Sequence, residues 1–182
     1  MKNEIIIAVV IGLIISMGVG CAPVMVSVSD PAIQVATNPN IEVQFEPLKQ
    51  GYRSFVAFRL TVENKTKNQL QIDWNKTRYL FNGRQHGLYV FRGIDPEAIK
   101  QQTITLDIIS PQDVFTKTIA PQKLIAYVPI KDRHKLAVGE SAFSGGPVPI
   151  GQSGILLVVR KDGEEIKERL TVDITEVEAE RK

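Results

Sequence analysis

Residues 155–174 read ILLVVRKDGEEIKERLTVDI, and this stretch decides the fold. Five apolar residues come first, and in the second half Leu170, Val172 and Ile174 alternate with polar residues. Asp-Gly between two apolar runs is the strongest short-range signal for a β-hairpin. The first run has no polar position, so we expect its strand to be central in a sheet or buried on both faces. The stretch therefore predicts two antiparallel strands.

The same period of two recurs in three earlier segments, residues 41–46, 56–63 and 69–74. One apolar face and one polar face are typical of an antiparallel strand. Helical signal is confined to residues 95–101, where an aspartate precedes a proline and good helix formers. We therefore predict an all-β, antiparallel, immunoglobulin-like sandwich of about seven to nine strands.

We expect this sandwich to span residues 41–176, with Trp74 in its core on a central strand, and residues 177–182 to form a charged tail. The chain has 182 residues, of which 43% are hydrophobic and 23% charged, as in one globular domain. The net charge of +2 offers no basic stripe, which argues against nucleic-acid binding. The single cysteine, Cys21, excludes an internal disulfide and any site with several thiolate ligands.

The first residues have the layout of a secretion signal. Residues 1–4 are polar with one lysine, residues 5–15 are almost entirely apolar, and small residues lead to Cys21. The apolar stretch is shorter than the ~20 residues that a membrane-spanning helix needs. The sequence therefore predicts a signal peptide over residues 1–20.

The segment Gly18-Val19-Gly20-Cys21 resembles the lipobox of bacterial lipoprotein signals, in which small residues precede an invariant cysteine. The resemblance implies cleavage between Gly20 and Cys21 and a diacylglycerol on the cysteine sulfur, which anchors the protein to a membrane of the cell envelope. An uncleaved N-terminal helix and ordinary secretion remain the alternatives.

Residues 21–40 carry several prolines and are expected to form a lipidated tether with at most one edge strand. Alanine rather than aspartate follows the cysteine. If the organism is Gram-negative, the analogy with lipoprotein sorting implies an outer membrane location facing the periplasm.

A second resemblance concerns the domain itself. The strand end Asp73-Trp74-Asn75 and the later stretch Val114–Pro121 are similar to an uncharacterised group of small β-sandwich lipoproteins. The resemblance implies the sandwich fold and no activity.

No catalytic or metal-binding set is predicted. His86 and His134 each lie in polar loops without a second ligand at suitable spacing, so we expect solvated histidines. Residues 139–143, with Ser141 at their centre, begin like the G-x-S-x-G motif of a nucleophile elbow. Phe143, however, stands where the motif has its last glycine. We therefore expect no cofactor and no enzymatic activity.

Two segments are candidates for contact with a partner. Arginines and aromatic residues cluster between residues 78 and 92, and such residues are enriched in protein interfaces. The predicted interaction surface consists of Arg78, Arg84, Tyr89 and Arg92. The glycine-rich residues 145–154 form a second, weaker candidate, whose simpler interpretation is a mobile connection between strands.

Three functions compete on this basis. The first is a lipid-anchored, non-enzymatic interaction or structural module with an envelope protein as its partner. The second is a lipoprotein that binds a small ligand or glycan through loops at one end of the sandwich, with Trp74, Tyr89 or residues 145–154 lining the pocket. The third, an enzyme, has the least support because no nucleophile and base are paired in the sequence.

Overall fold

The computed structural model describes residues 23–127 and 143–179. Within them two antiparallel sheets pack against each other, so the predicted all-β sandwich is confirmed. In chain order the elements are β1 (Met25–Asp30), β2 (Gln34–Thr37), β3 (Ile41–Gln50), β4 (Ser54–Asn64), β5 (Leu70–Ile72), β6 (Arg78–Phe81), β7 (Arg84–Gln85), β8 (Tyr89–Val90), α1 (Pro96–Gln101), β9 (Asp107–Ile109), β10 (Val114–Pro121), a 3-10 turn (Gln122–Leu124), β11 (Ile125–Tyr127), β12 (Phe143–Gly145), β13 (Gly151–Lys161) and β14 (Glu164–Glu178).

The first sheet has the strand order β1-β14-β13-β5-β9, and β6 and β7 continue it beside β13. The second sheet has the order β2-β3-β4-β10-β8, and β11 pairs with β12 separately. The described residues form fourteen strands, more than predicted. One reason is that the turn at residues 73–77 divides the segment beside β13 into β5 and β6.

The β13–β14 hairpin confirms the prediction from the Asp-Gly dipeptide. Lys161 pairs with Glu164, and Asp162 and Gly163 have φ angles of 51° and 88°. Both are positive, as a two-residue type I′ hairpin turn requires. β13 is central as expected, and its residues 157, 158 and 159 are at most 2% exposed, so this stretch is buried on both faces.

The core lies between the two sheets, where alternate residues of each strand face inward. Phe45 and Phe58 stack with 4.5 Å between ring centroids, and Tyr79 and Tyr89 meet edge to face at 5.7 Å. Each fully buried aliphatic or aromatic side chain contributes about 1.5–3 kcal/mol through loss of water contact. The packing of the two inner faces therefore accounts for the stability of the sandwich.

The folded part extends beyond the predicted limits at both ends. β1 pairs with β14 and β2 pairs with β3, so much of the expected tether belongs to the sheets. β14 continues to Glu178, because its last residues pair with β1, so the expected tail is partly strand. Trp74 is fully buried as predicted but follows β5 in a turn, and its expected position on a central strand is wrong.

The long strands give the sandwich two different ends. The N-terminal end comprises Val24, Met25, the last residues of β14 and the β3–β4 turn at residues 50–54. There the amide of Ser27 donates to the carbonyl of Arg53 at 2.7 Å. The far end comprises the turns at residues 38–40, 65–68, 110–113 and 161–164. β14 connects the two ends, because Glu165 lies opposite Arg160 and Glu178 lies opposite Met25. At about 3.3 Å per residue, this part of β14 covers roughly 43 Å.

Candidate functional site

A polar cleft of about 300 Å³ lies at the far end, on the face of the first sheet that points away from the second sheet. We call this face the outer face. Arg160 of β13 and Gln71 of β5 are directly opposite each other in the sheet, which places both side chains on it. The lining residues are Gln69, Gln71, Arg160, Asp162 and Gly163.

Arg160 is fixed by a buried carboxylate. Its guanidinium donates to Asp73 Oδ2 at 2.5 Å, and the Asp73 side chain is 1% exposed whereas that of Arg160 is 38% exposed. The other oxygen, Asp73 Oδ1, accepts the amide of Asn75 at 3.1 Å. Because Arg has several donors in a rigid fork, pairing with Asp73 still leaves donors for the cleft.

The opposite charge in the cleft belongs to the hairpin turn. The side-chain Nδ2 of Asn68 donates to Asp162 Oδ2 at 2.6 Å, which joins the β4–β5 turn to the β13–β14 turn. The cleft thus combines a guanidinium, a carboxylate and two side-chain amides. These groups can bind a polar ligand or a peptide segment through paired hydrogen bonds.

Basic residues continue from the cleft along the outer face. Arg78 and Arg169 flank Leu156 from the two neighbouring strands. Arg78 donates to the carbonyls of Asn75 at 2.7 Å and Thr77 at 3.0 Å, so its position is fixed by backbone acceptors. The outer face therefore carries two further arginines, which lie opposite a residue four positions before Arg160 on β13.

The negative charge of the Glu165 carboxylate partly offsets the positive charge of this face. It lies opposite Arg160 and pairs with Lys76 and Lys167. The hydrogen bond from Lys76, and then that from Lys167, lowers the pKa of the Glu165 carboxyl from 4.5 to about 2. The carboxylate stays charged at any pH near neutrality.

The four residues predicted as one interaction surface do not form one. Arg78 is on the outer face of the first sheet. Arg84 pairs with Phe81 in the β6–β7 hairpin, and this register places the Arg84 side chain on the opposite face of the sheet. Arg92 is exposed in the segment after β8. The structure thus separates the three arginines.

Tyr89 is wrong as a surface residue. It is 1% exposed, and its hydroxyl donates to the carbonyl of Gly154 at 2.9 Å. Burial raises the pKa of the Tyr89 phenol well above its usual value, and the neighbouring Tyr79 adds to this. Its role is to pack the core and satisfy a backbone acceptor.

Residues 145–148, where a mobile connection is the simpler expectation, are packed against other backbone. The amide of Gly146 donates to the carbonyl of Leu124 at 2.6 Å, and that of Val148 to Phe55 at 2.8 Å. A Cβ added at Gly145 would lie 2.6 Å from the carbonyl oxygen of Val56. The glycines allow this close approach, and mobility does not explain them.

His86 is half-buried, and its ring meets that of Phe81 edge to face at 5.7 Å. His134, Ser141, Gly20 and Cys21 lie outside the described residues. Within residues 23–127 and 143–179, no group of three or more His, Cys, Asp or Glu could hold a metal ion.

Sequence reasoning missed Asp73, Arg160 and Gln71. The sequence marks Asp73-Trp74-Asn75 as a strand end, and Arg160 stands just before the hairpin turn. The available signal was the polar Arg160 at the end of an apolar run, which indicates an exposed position on a buried strand.

Comparisons of the chain with models of protein families, with curated proteins and with solved structures found no match. In the described part of the chain, no helix has both the length and the apolar character needed to cross a membrane.

Proposed function

We propose that this chain is a lipid-anchored protein of the cell envelope whose sandwich acts as a non-enzymatic binding module. One observation carries the proposal. β1 begins at Met25, four residues after the lipobox cysteine, and the polar cleft lies at the opposite end of the sandwich. The lipid and the cleft are therefore separated by the full length of the domain.

The distances from Cys21 to β1 and from β1 to the cleft would keep the cleft away from the membrane surface. An extended chain spans at most about 3.6 Å per residue, so β1 begins within roughly 15 Å of Cys21. The cleft lies roughly 43 Å further along β14, whose Glu178 is opposite Met25 and whose Glu165 is opposite Arg160. A lipid on Cys21 would hold the N-terminal end near the membrane and direct Arg160 and Asp162 towards the aqueous compartment, which we take to be the periplasm.

A small polar ligand, such as a glycan, is the second candidate occupant. The cleft volume is at the lower limit for ligand pockets, and its amides and charged groups suit hydroxyl-rich molecules. The pocket first expected around Trp74 and Tyr89 is not favoured, because both side chains are buried in the core. Both candidates thus use the far end of the sandwich.

The anchor is tested by mass spectrometry of protein from the membrane fraction. We expect a mature N-terminus at Cys21 that carries acyl mass, and release of the Cys21→Ser variant from the membrane. A different N-terminus, or an unmodified Cys21, would refute the lipid anchor.

The binding site is tested by placing a photo-crosslinking residue at Gln71, with exposed Thr118 on the second sheet as the matched control position. We expect an envelope protein to crosslink at position 71 and not at 118, and the adduct to disappear when Arg160→Met is added. Chemical-shift changes at the cleft on addition of envelope oligosaccharides would instead support the ligand. Equal crosslinking at both positions and no ligand response would contradict a site in the cleft.

A further inference from the structure

The N-terminal end of the sandwich carries exposed apolar side chains that the cleft does not use. Tyr52, at the tip of the β3–β4 turn, is 64% exposed. Val24, Met25 and Val177 lie at the same end and are 40%, 42% and 43% exposed. Exposed apolar residues also occur near the far end, where Ile108 is 57% and Val114 is 56% exposed. What points to an apolar contact at the N-terminal end is its position next to the proposed lipid.

The turn is held against β1. The amide of Ser27 donates to the carbonyl of Arg53 at 2.7 Å, which fixes the tip of the second sheet beside the first strand of the first sheet. The Arg53 guanidinium lies 5.3 Å from the Tyr52 ring centroid, and its Nε donates to the Tyr52 hydroxyl at 3.0 Å. Tyr52 and Arg53 therefore form one ordered amphipathic pair.

We infer that the turn at residues 50–54, with Tyr52 at its tip, contacts the interfacial region of the bilayer that holds the lipid on Cys21. This inference rests on the proposed lipid anchor. The few residues between Cys21 and Met25 keep this end within roughly 15 Å of the anchored cysteine. Tyrosine prefers the membrane interface, where its ring meets apolar chains and its hydroxyl meets water.

Charge has a minor role in this contact. Lys49 and Arg53 are basic, but Glu176 and Glu178 at the end of β14 are exposed and acidic. Among the described residues the charges at this end are therefore balanced, so we expect only weak attraction to anionic lipid. Because aromatic and apolar contact dominates, we expect membrane contact in neutral vesicles and little dependence on salt.

The lipid-modified full chain allows a direct test, because acylation of its single cysteine leaves no free thiol. Tyr52→Cys and, at the far end, Lys67→Cys each introduce one thiol for a spin label, and both positions are exposed. The labelled proteins are reconstituted in phosphatidylcholine vesicles with and without phosphatidylglycerol. Collisions with oxygen and with a water-soluble nickel chelate are then measured.

We expect the chelate collision rate at position 52 to be several-fold lower than at position 67, and the oxygen rate to be higher, in both vesicle types. Equal chelate accessibility at the two positions in acylated protein would overturn the inference and leave the anchor intact. Label at Cys21, or missing acyl mass in the same samples, would instead refute the anchor, and the inference with it.

Discussion

Lys117 and Asp107 form an ion pair that connects the two sheets. Lys117 belongs to β10 of the second sheet and lies opposite buried Leu60, whereas Asp107 belongs to β9 of the first sheet and lies opposite buried Ile72. Both side chains therefore point into the space between the sheets. The indole of Trp74 donates to Asp107 Oδ2 at 2.7 Å, so the same carboxylate accepts from both sides of the sandwich.

Removing the ammonium should loosen this edge of the sandwich. In Lys117→Met the apolar stem remains, but Asp107 loses its ion pair and Phe91 loses a cation whose Nζ lies 3.9 Å from its ring centroid. The side chains are 24% and 29% exposed, so we expect a loss of only about 1 kcal/mol in the free energy of unfolding. Urea denaturation measures it, with exposed Lys67→Met as the control. An equal effect of both substitutions would show that the pair does not stabilise the fold.

Local pattern explains most of what could be predicted from the sequence. The period of two in β3, β4 and β14 depends on neighbouring residues alone, and so does the Asp-Gly turn. The sequence pattern could not show that Tyr89 is buried, because β8 has two residues, too few to indicate which face a side chain occupies. The pairing of Asp73 with Arg160 joins positions 87 residues apart, and no local pattern specifies it.

Gly154 is predicted to be essential for the pairing of β13 with β14. A Cβ at this position would lie 2.3 Å from the carbonyl oxygen of Leu170 and 2.7 Å from Thr171 Cγ2. Backbone cannot move aside as a flexible side chain can, so we expect Gly154→Ala to cost more than about 2 kcal/mol or to prevent folding. Thermal and urea unfolding measure the loss.

Gly163→Ala is the matched control on the same hairpin. Nothing lies within 4 Å of a Cβ added there, and its φ of 88° adds only the backbone strain of about 1–2 kcal/mol. If Gly154→Ala were the milder of the two, the close approach of the strands at Gly154 would be of no consequence.

Glu165 should titrate at an unusually low pH. Its folded-state pKa is lowered to about 2, mainly by the hydrogen bond from Lys76, so its stabilising contribution is present above pH 4.5 and disappears as the pH falls towards 2. Carboxyl NMR titration should show the pKa rising towards 4.5 in Lys76→Met and in high salt. Lys67→Met should leave it unchanged. A pKa that is the same with and without Lys76 would contradict this assignment.

The free energy of unfolding should depend strongly on the ion pair between Arg160 and the buried carboxylate of Asp73. Arg160→Met leaves a negative charge that is 1% exposed without its cation, and breaking such a pair typically costs 3–5 kcal/mol. Because Arg160 itself is 38% exposed, we expect about 3 kcal/mol. Asp73→Asn should cost less, since the amide oxygen can still accept from the amide of Asn75.

A double-mutant cycle separates the energy of the ion pair from the cost of leaving the buried Asp73 carboxylate without its cation. With Asp73→Asn already in place, Arg160→Met no longer leaves a buried charge, so the double variant should be more stable than Arg160→Met alone. The free energies of unfolding from urea titrations of the four proteins give the coupling. Strictly additive effects would mean that Asp73 does not hold Arg160 in the cleft, and the structural basis for an ordered guanidinium at the far end would be lost.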